Sequence, residues 1–130
     1  MQMADITIKK ADGVTNVVYS QLTASAGDRS PAVWRNNTSA TLRGNRATFT
    51  MESHPNGPGT ARRVNCKHSY HVVRTVDGQE VVVATIPTEA TSVLPQGLTD
   101  SEISEAIEQA TNMFAATLIR QSIALGYAPV

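Results

Sequence analysis

The chain has 130 residues, 41% of them hydrophobic and 17% charged, and its 11 basic and 11 acidic side chains balance to a formal charge of zero. That length suits one soluble domain burying roughly two-thirds of its unfolded surface, and the balance excludes a strongly basic tail or an acidic solvating chain. One cysteine, Cys66, excludes a disulfide framework or a cysteine-built zinc site and suits a reducing or redox-indifferent compartment, while no apolar run approaches the roughly 18–20 residues of a membrane span and residues 1–10 lack a signal-peptide pattern.

Residues 1–22 read as an N-terminal hairpin. Ile6 and Ile8 alternate with polar neighbours. Asp12-Gly13 is a two-residue turn signal, because glycine accepts the positive φ such turns need. Residues 14–22 form the β-branched return strand. Residues 23–31 are small and polar and read as a loop. Residues 32–35 are a short strand, followed by a polar break over 36–40.

Residues 46–53 alternate: Ala47, Phe49 and Met51 point one way, and Arg46, Thr48, Thr50 and Glu52 the other. His54-Pro-Asn-Gly-Pro-Gly59 is a turn signal. Residues 62–76 alternate again, with Val64, Cys66, His68, Tyr70 and Val72 on one face and Arg63, Asn65, Lys67, Ser69 and His71 on the other. Asp77-Gly78 is a second hairpin turn. Residues 80–86 form a Val-rich strand expected to end at Pro87, with a connector over 88–98.

The period then becomes helical. Thr99-Asp-Ser-Glu102 fits a capping box, and Asp100, Glu102 and Glu105 suit the positive end of a helix dipole. Ile103, Ile107, Ala110, Phe114 and Leu118 recur at helical spacing, and Gly126 is the expected stop. The helical part, 99–126, is one long helix or two shorter ones. The whole is α+β: an N-terminal hairpin, an antiparallel sheet of about five to six strands with its main part over 32–87, and a helical C-terminus, in a single domain spanning 1–130. One helical segment covers only part of such a sheet. The apolar stripe, with Met113 and Ile119 beside it, suits a second copy of the chain, with Ile103, Ile107, Phe114 and Leu118 at the dimer interface, the alternative being a core within one monomer.

Charge is segregated along the chain. Residues 1–76 carry ten basic and four acidic residues, whereas residues 77–130 carry one basic and seven acidic ones. A catalytic or metal centre finds no support. Cys66 and His68 share a strand face while His71 points to the other, so the three do not converge. Cys66 lacks a defined base. Glu102, Glu105 and Glu108 are helix-surface carboxylates, and Gly57-Pro58-Gly59 joins two strands instead of opening a helix. No cofactor, metal or small-molecule substrate is implied. The stronger constellation is the polar, net basic face of the two long strands, where Arg and Lys can neutralise phosphates and Thr, Asn and Ser can bond bases or sugars. A flat sheet face of this kind suits an RNA hairpin or single strand better than a DNA groove.

These residues resemble a known family. The strand Arg46-Ala-Thr-Phe-Thr-Met-Glu-Ser53, the Pro/Asn/Gly turn, Ala61-Arg-Arg-Val-Asn-Cys-Lys67, Thr85-Ile-Pro87 with Ala90-Thr91, and the ending Gly126-Tyr-Ala-Pro-Val130 are similar to the coat proteins of single-stranded RNA bacteriophages of the levivirus type. The resemblance implies an intertwined homodimer whose strands join into one sheet and whose helices cover each other's outer face. It implies assembly in the bacterial host cytoplasm into an icosahedral capsid, the virion shell. The basic face would then bind a hairpin of the single-stranded genomic RNA and repress translation. By position, it assigns RNA contact to Arg46, Thr48, Thr50, Arg63, Asn65 and Lys67. Glu52 departs from the family pattern, as do Gln79, Val81, Val83 and the short connection Val76-Asp-Gly-Gln79. The other classes open to this sequence are a cellular RNA-binding module that dimerises without forming a shell, and a small enzyme using Cys66 or His71.

Overall fold

The computed structural model describes all residues from Met1 to Val130. They divide into two compact units, Met1–Leu94 and Pro95–Val130.

The first unit is one six-stranded sheet in sequence order: β1 (Ile6–Lys9), β2 (Asn16–Thr23), β3 (Ala32–Arg35), β4 (Thr48–Pro55), β5 (Ala61–Val76) and β6 (Gln79–Pro95). The first four pairings are antiparallel. Along β5 and β6, side-chain contacts link His71 to Thr85, Lys67 to Glu89 and Asn65 to Thr91. The order reverses from one strand to the other, as antiparallel neighbours require. β2 carries an irregularity between Gln21 and Thr23, which leaves Leu22 exposed.

Two turns and one strand end show how local chemistry sets the path. Asp77 (φ 52°) and Gly78 (φ 78°) both take positive φ, the requirement of a tight two-residue hairpin turn. The Asp12-Gly13 connection is longer than the sequence suggests. Lys9 pairs with Asn16, so 10–15 form the loop. The reason is the Asp12 carboxylate, which accepts from the amides of Val14 (2.8 Å) and Thr15 (2.9 Å) and from the Thr15 hydroxyl (2.6 Å), offering the backbone an alternative to the ladder. These bonds, the Thr15 hydroxyl foremost, lower the Asp12 pKa to about 2 from the ordinary 3.8. A depressed carboxylate pKa means this contribution to hairpin stability is complete above 3.8 and is lost as the pH falls through about 2. Carboxyl NMR titration is expected to show that midpoint, and Thr15→Val to move it upward.

The third is the strand expected to end at Pro87, which instead continues to Pro95. β6 is the sheet edge, where a missing backbone donor is tolerated. Likewise β4 starts at Thr48 rather than at residue 46, because a short 3₁₀ turn (Arg43–Asn45) precedes it.

The core of the sheet unit is small. Tyr19, Trp34 and Ala47 are buried, with Met3, Ile6, Val17, Ala32 and Phe49 packed against them. Trp34 stacks obliquely on Phe49, with centroids 5.7 Å apart, and its indole donates to the Ala4 carbonyl at 2.8 Å.

The second unit holds α1 (Asp100–Ala115) and α2 (Thr117–Leu125). The capping box is present: the Glu102 amide donates to the Thr99 hydroxyl at 3.3 Å and the Thr99 amide to the Glu102 carboxylate at 3.0 Å. Gly126, at φ 81°, ends α2. The Tyr127 amide donates to Ser122 and the Gly126 amide to Ile123, a Schellman closure. The two-helix alternative is the one adopted, with the break at Ala116 in an extended conformation.

Candidate nucleic-acid interface

The pairing of β4 with β5 builds the polar face. Thr48 opposes Ser69, Thr50 opposes Lys67, Glu52 opposes Asn65 and His54 opposes Arg63. Directly opposed residues of an antiparallel pair share a face, so these eight residues form one surface. β3 extends it through Val33 and Arg35, which oppose Thr50 and Thr48. β6 extends it on the other side. There the Thr91 hydroxyl donates to the Asn65 amide oxygen at 3.1 Å, His71 and Thr85 share a hydrogen bond of 2.9 Å, and Lys67 lies 3.7 Å from Glu89.

Thr48, Thr50, Arg63, Asn65 and Lys67 are thus brought together as the alternation predicts. Arg46 is not among them. It sits before β4, and its guanidinium donates to the carbonyls of Ala40 (2.9 Å) and Thr41 (3.1 Å) and contacts the Asn37 side chain. It is the brace of the 36–46 turn. Glu89, which the sequence places in a connector, lies on β6 beside Lys67 and offsets part of its charge. Both members of that pair are exposed, so the contact is weak. The face is therefore modestly cationic. Arg35, Arg63 and Lys67 stand against Glu52 and Glu89, among hydroxyls, an amide and two imidazoles.

A residue with no sequence signal ties the sheet to that turn. The Glu80 carboxylate, at the start of β6, accepts from the amides of Leu42 (2.9 Å) and Thr41 (2.8 Å) and from the Asn45 side chain (3.1 Å). Those bonds, Leu42 first, hold its pKa below the usual range.

The opposite face of β5 is apolar and half-buried. Cys66 opposes Met51 and His68 opposes Phe49. Burial raises the Cys66 thiol pKa and lowers that of His68, whose ring shares a 2.8 Å hydrogen bond with the Tyr19 hydroxyl. A thiol held protonated on an apolar face is a poor nucleophile. His71 is on the polar face with Thr85. On the apolar face a hollow of about 730 Å³ opens, with Met3, Ile6, Trp34, Phe49, Met51 and Val64 in its lining. In the helical unit no residue is buried. Ile103 and Ile107 are half-buried, while Phe114 (59%) and Leu118 (62%) stand exposed.

A six-stranded meander with one polar and one apolar face, followed by two amphipathic helices, is a fold shared with proteins of phage virus-like particles and capsids. The chain is similar to the subunit of the virus-like particle of bacteriophage NT-214, with a TM-score of 0.84 and 14% identity over 100% of both chains. It is similar to that of the virus-like particle of Beihai levi-like virus 21, with a TM-score of 0.80 and 18% identity, covering 100% of this chain and 98% of that one. The capsid protein of bacteriophage GA gives a TM-score of 0.76 and 15% identity, over 96% of this chain and 95% of that one. No protein-family model matches the sequence, and no curated protein does. At such identities the likeness is one of fold.

Proposed function

We propose that the chain is the coat protein of a single-stranded RNA phage. It pairs into a homodimer, dimers close into a virion shell, and the β4–β5 face is turned toward packaged RNA. Residues 1–130 act together as one coat-protein domain. In this reading the same face takes a genomic RNA hairpin and so represses translation. The observation that carries the proposal is the match of fold along essentially the whole length of both chains to proteins of virus-like particles and capsids.

The exposed apolar surface of the single chain supports the pairing. The exposed Phe114 and Leu118, the apolar hollow of the sheet and the 17-residue edge strand β6 are the surfaces a second copy would cover. No helix is long and apolar enough to cross a membrane.

The test is purification of the full chain, followed by negative-stain imaging and the ratio of absorbance at 260 and 280 nm. Closed particles carrying nucleic acid are expected. A dimer that never forms particles at high concentration favours the RNA-binding module. Arg63→Ala combined with Lys67→Ala is expected to lower the RNA content and to reduce the salt slope of RNA binding by about one to two units, because two phosphate-neutralising cations are removed. An unchanged slope removes this face from the RNA contact.

A further inference from the structure

Glu52 is the unexplained group of the polar face. A carboxylate repels phosphate, yet this one sits at the middle of β4, opposite Asn65 and two residues from Thr50. It is half-buried and takes part in neither a hydrogen bond nor an ion pair, whereas Glu80 and Glu89 are both engaged. Its neighbour is oriented. The Thr91 hydroxyl donates to the Asn65 amide oxygen at 3.1 Å, which leaves the Asn65 amide nitrogen as a donor available to a ligand. The cross-strand pair places the two side chains about 5 Å apart at Cβ. The face thus presents a two-oxygen acceptor beside a donor, flanked by the Thr50 hydroxyl and by Lys67 and Arg63 for phosphates.

We infer that Glu52 and Asn65 form a base-reading subsite that takes an unpaired guanine, with Glu52 as the specificity-determining residue. This rests on the RNA-facing reading of the sheet and adds to it which base is selected. Guanine alone among the four bases has two adjacent donors on its pairing edge, N1–H and the N2 amine, which match the two oxygens of one carboxylate. Its O6 acceptor lies next to N1, where the Asn65 amide nitrogen donates. Adenine and cytosine offer one donor beside an acceptor. Uracil flanks its one donor with two carbonyls, which a carboxylate repels. Single-stranded RNA is read in this way, through the pairing edges of unstacked bases. A site whose polar groups are left unpaired by the wrong base discriminates strongly.

The experiment uses the full chain and three fluorescent uridine-rich RNA oligomers that differ at one central nucleotide: guanosine, inosine or adenosine. Inosine keeps N1–H and O6 and lacks only the N2 amine. The wild-type chain is expected to bind the guanosine oligomer roughly tenfold or more tightly than the inosine one, the scale of one charge-assisted hydrogen bond, and the adenosine one more weakly still. Glu52→Gln is expected to bring guanosine and inosine to within about twofold, and to tighten binding of an all-uridine oligomer because a negative charge is gone. Circular dichroism checks that the variant stays folded. Equal wild-type affinity for guanosine and inosine overturns the subsite, as does discrimination that survives in Glu52→Gln. Binding that strengthens uniformly in the variant shows that Glu52 only repels phosphate, and overturns the subsite while leaving the RNA face standing. No binding of any oligomer at low salt overturns the RNA-facing reading itself.

Discussion

Phe114→Asp is expected to leave the chain folded and unable to pair. Phe114 is 59% exposed in the single chain and lies on the α1 stripe that runs through Ile103 and Ile107, whereas Leu118 stands on α2 beyond the break at Ala116. More than half of its surface is open in the single chain, so the variant helix should form. Its capping box at Thr99 and Glu102 is untouched. In a two-fold dimer the substitution acts twice. Burial of each phenyl ring is worth about 1.5–3 kcal/mol, and each carboxylate set against an apolar partner costs more again unless it finds a donor. The sum is at least about 5 kcal/mol, a several-thousandfold weakening of association. Sedimentation velocity at micromolar concentration should show wild-type dimers or particles and a monomeric variant, with helical circular dichroism retained. Asn112→Asp places the same charge off the stripe and should pair normally. A soluble, folded Phe114→Asp dimer would remove the helices from the interface and leave the β6 edge as the pairing surface.

What could be read from the residues, and what could not, follows from the range of the forces involved. Period-two alternation on β4 and β5 was legible because each position depends only on its neighbours, and the register then brings Thr48, Thr50, Arg63, Asn65 and Lys67 onto one surface. The capping box at Thr99 and the stop at Gly126 are legible for the same reason. Pro87 misleads because proline ends a central strand, and only the order of the sheet reveals that β6 lies at its edge. Arg46 belongs to the alternating pattern, yet its guanidinium is drawn to the Ala40 and Thr41 carbonyls of the preceding turn. Glu80 reaches an acceptor role 38 residues from Leu42, and the Lys67–Glu89 contact depends on a strand pairing that no local pattern reports. The break at Ala116 has neither glycine nor proline, and nothing in the structure explains it. The fold was thus largely visible in short-range pattern, while the charge balance of the polar face depended on contacts distant in sequence.

Trp34→Ala should be the most damaging single change in the sheet unit. β3 lies inside the sheet, paired to β2 on one side and β4 on the other, so its side chains organise both hairpins. Few residues share the task, since Tyr19, Trp34 and Ala47 are the buried cluster and no large side chain is fully enclosed. Truncating a buried tryptophan costs about 3–5 kcal/mol through lost transfer energy and the cavity left behind. The tilted stack on Phe49 accounts for about 0.5–1.5 kcal/mol of it. The hydrogen bond to the Ala4 carbonyl is the smaller part, because Ala4 is exposed and water replaces the lost donor. Trp34→Phe, which keeps a ring against Phe49, should therefore cost much less than Trp34→Ala. Against a total stability of about 5–15 kcal/mol, the alanine variant loses a large fraction. Guanidinium unfolding followed by circular dichroism checks this, since Trp34 is the chain's one tryptophan and its fluorescence goes with it. A loss below about 1 kcal/mol for the alanine variant would place the stabilising core elsewhere, on the apolar surfaces assigned here to the second copy.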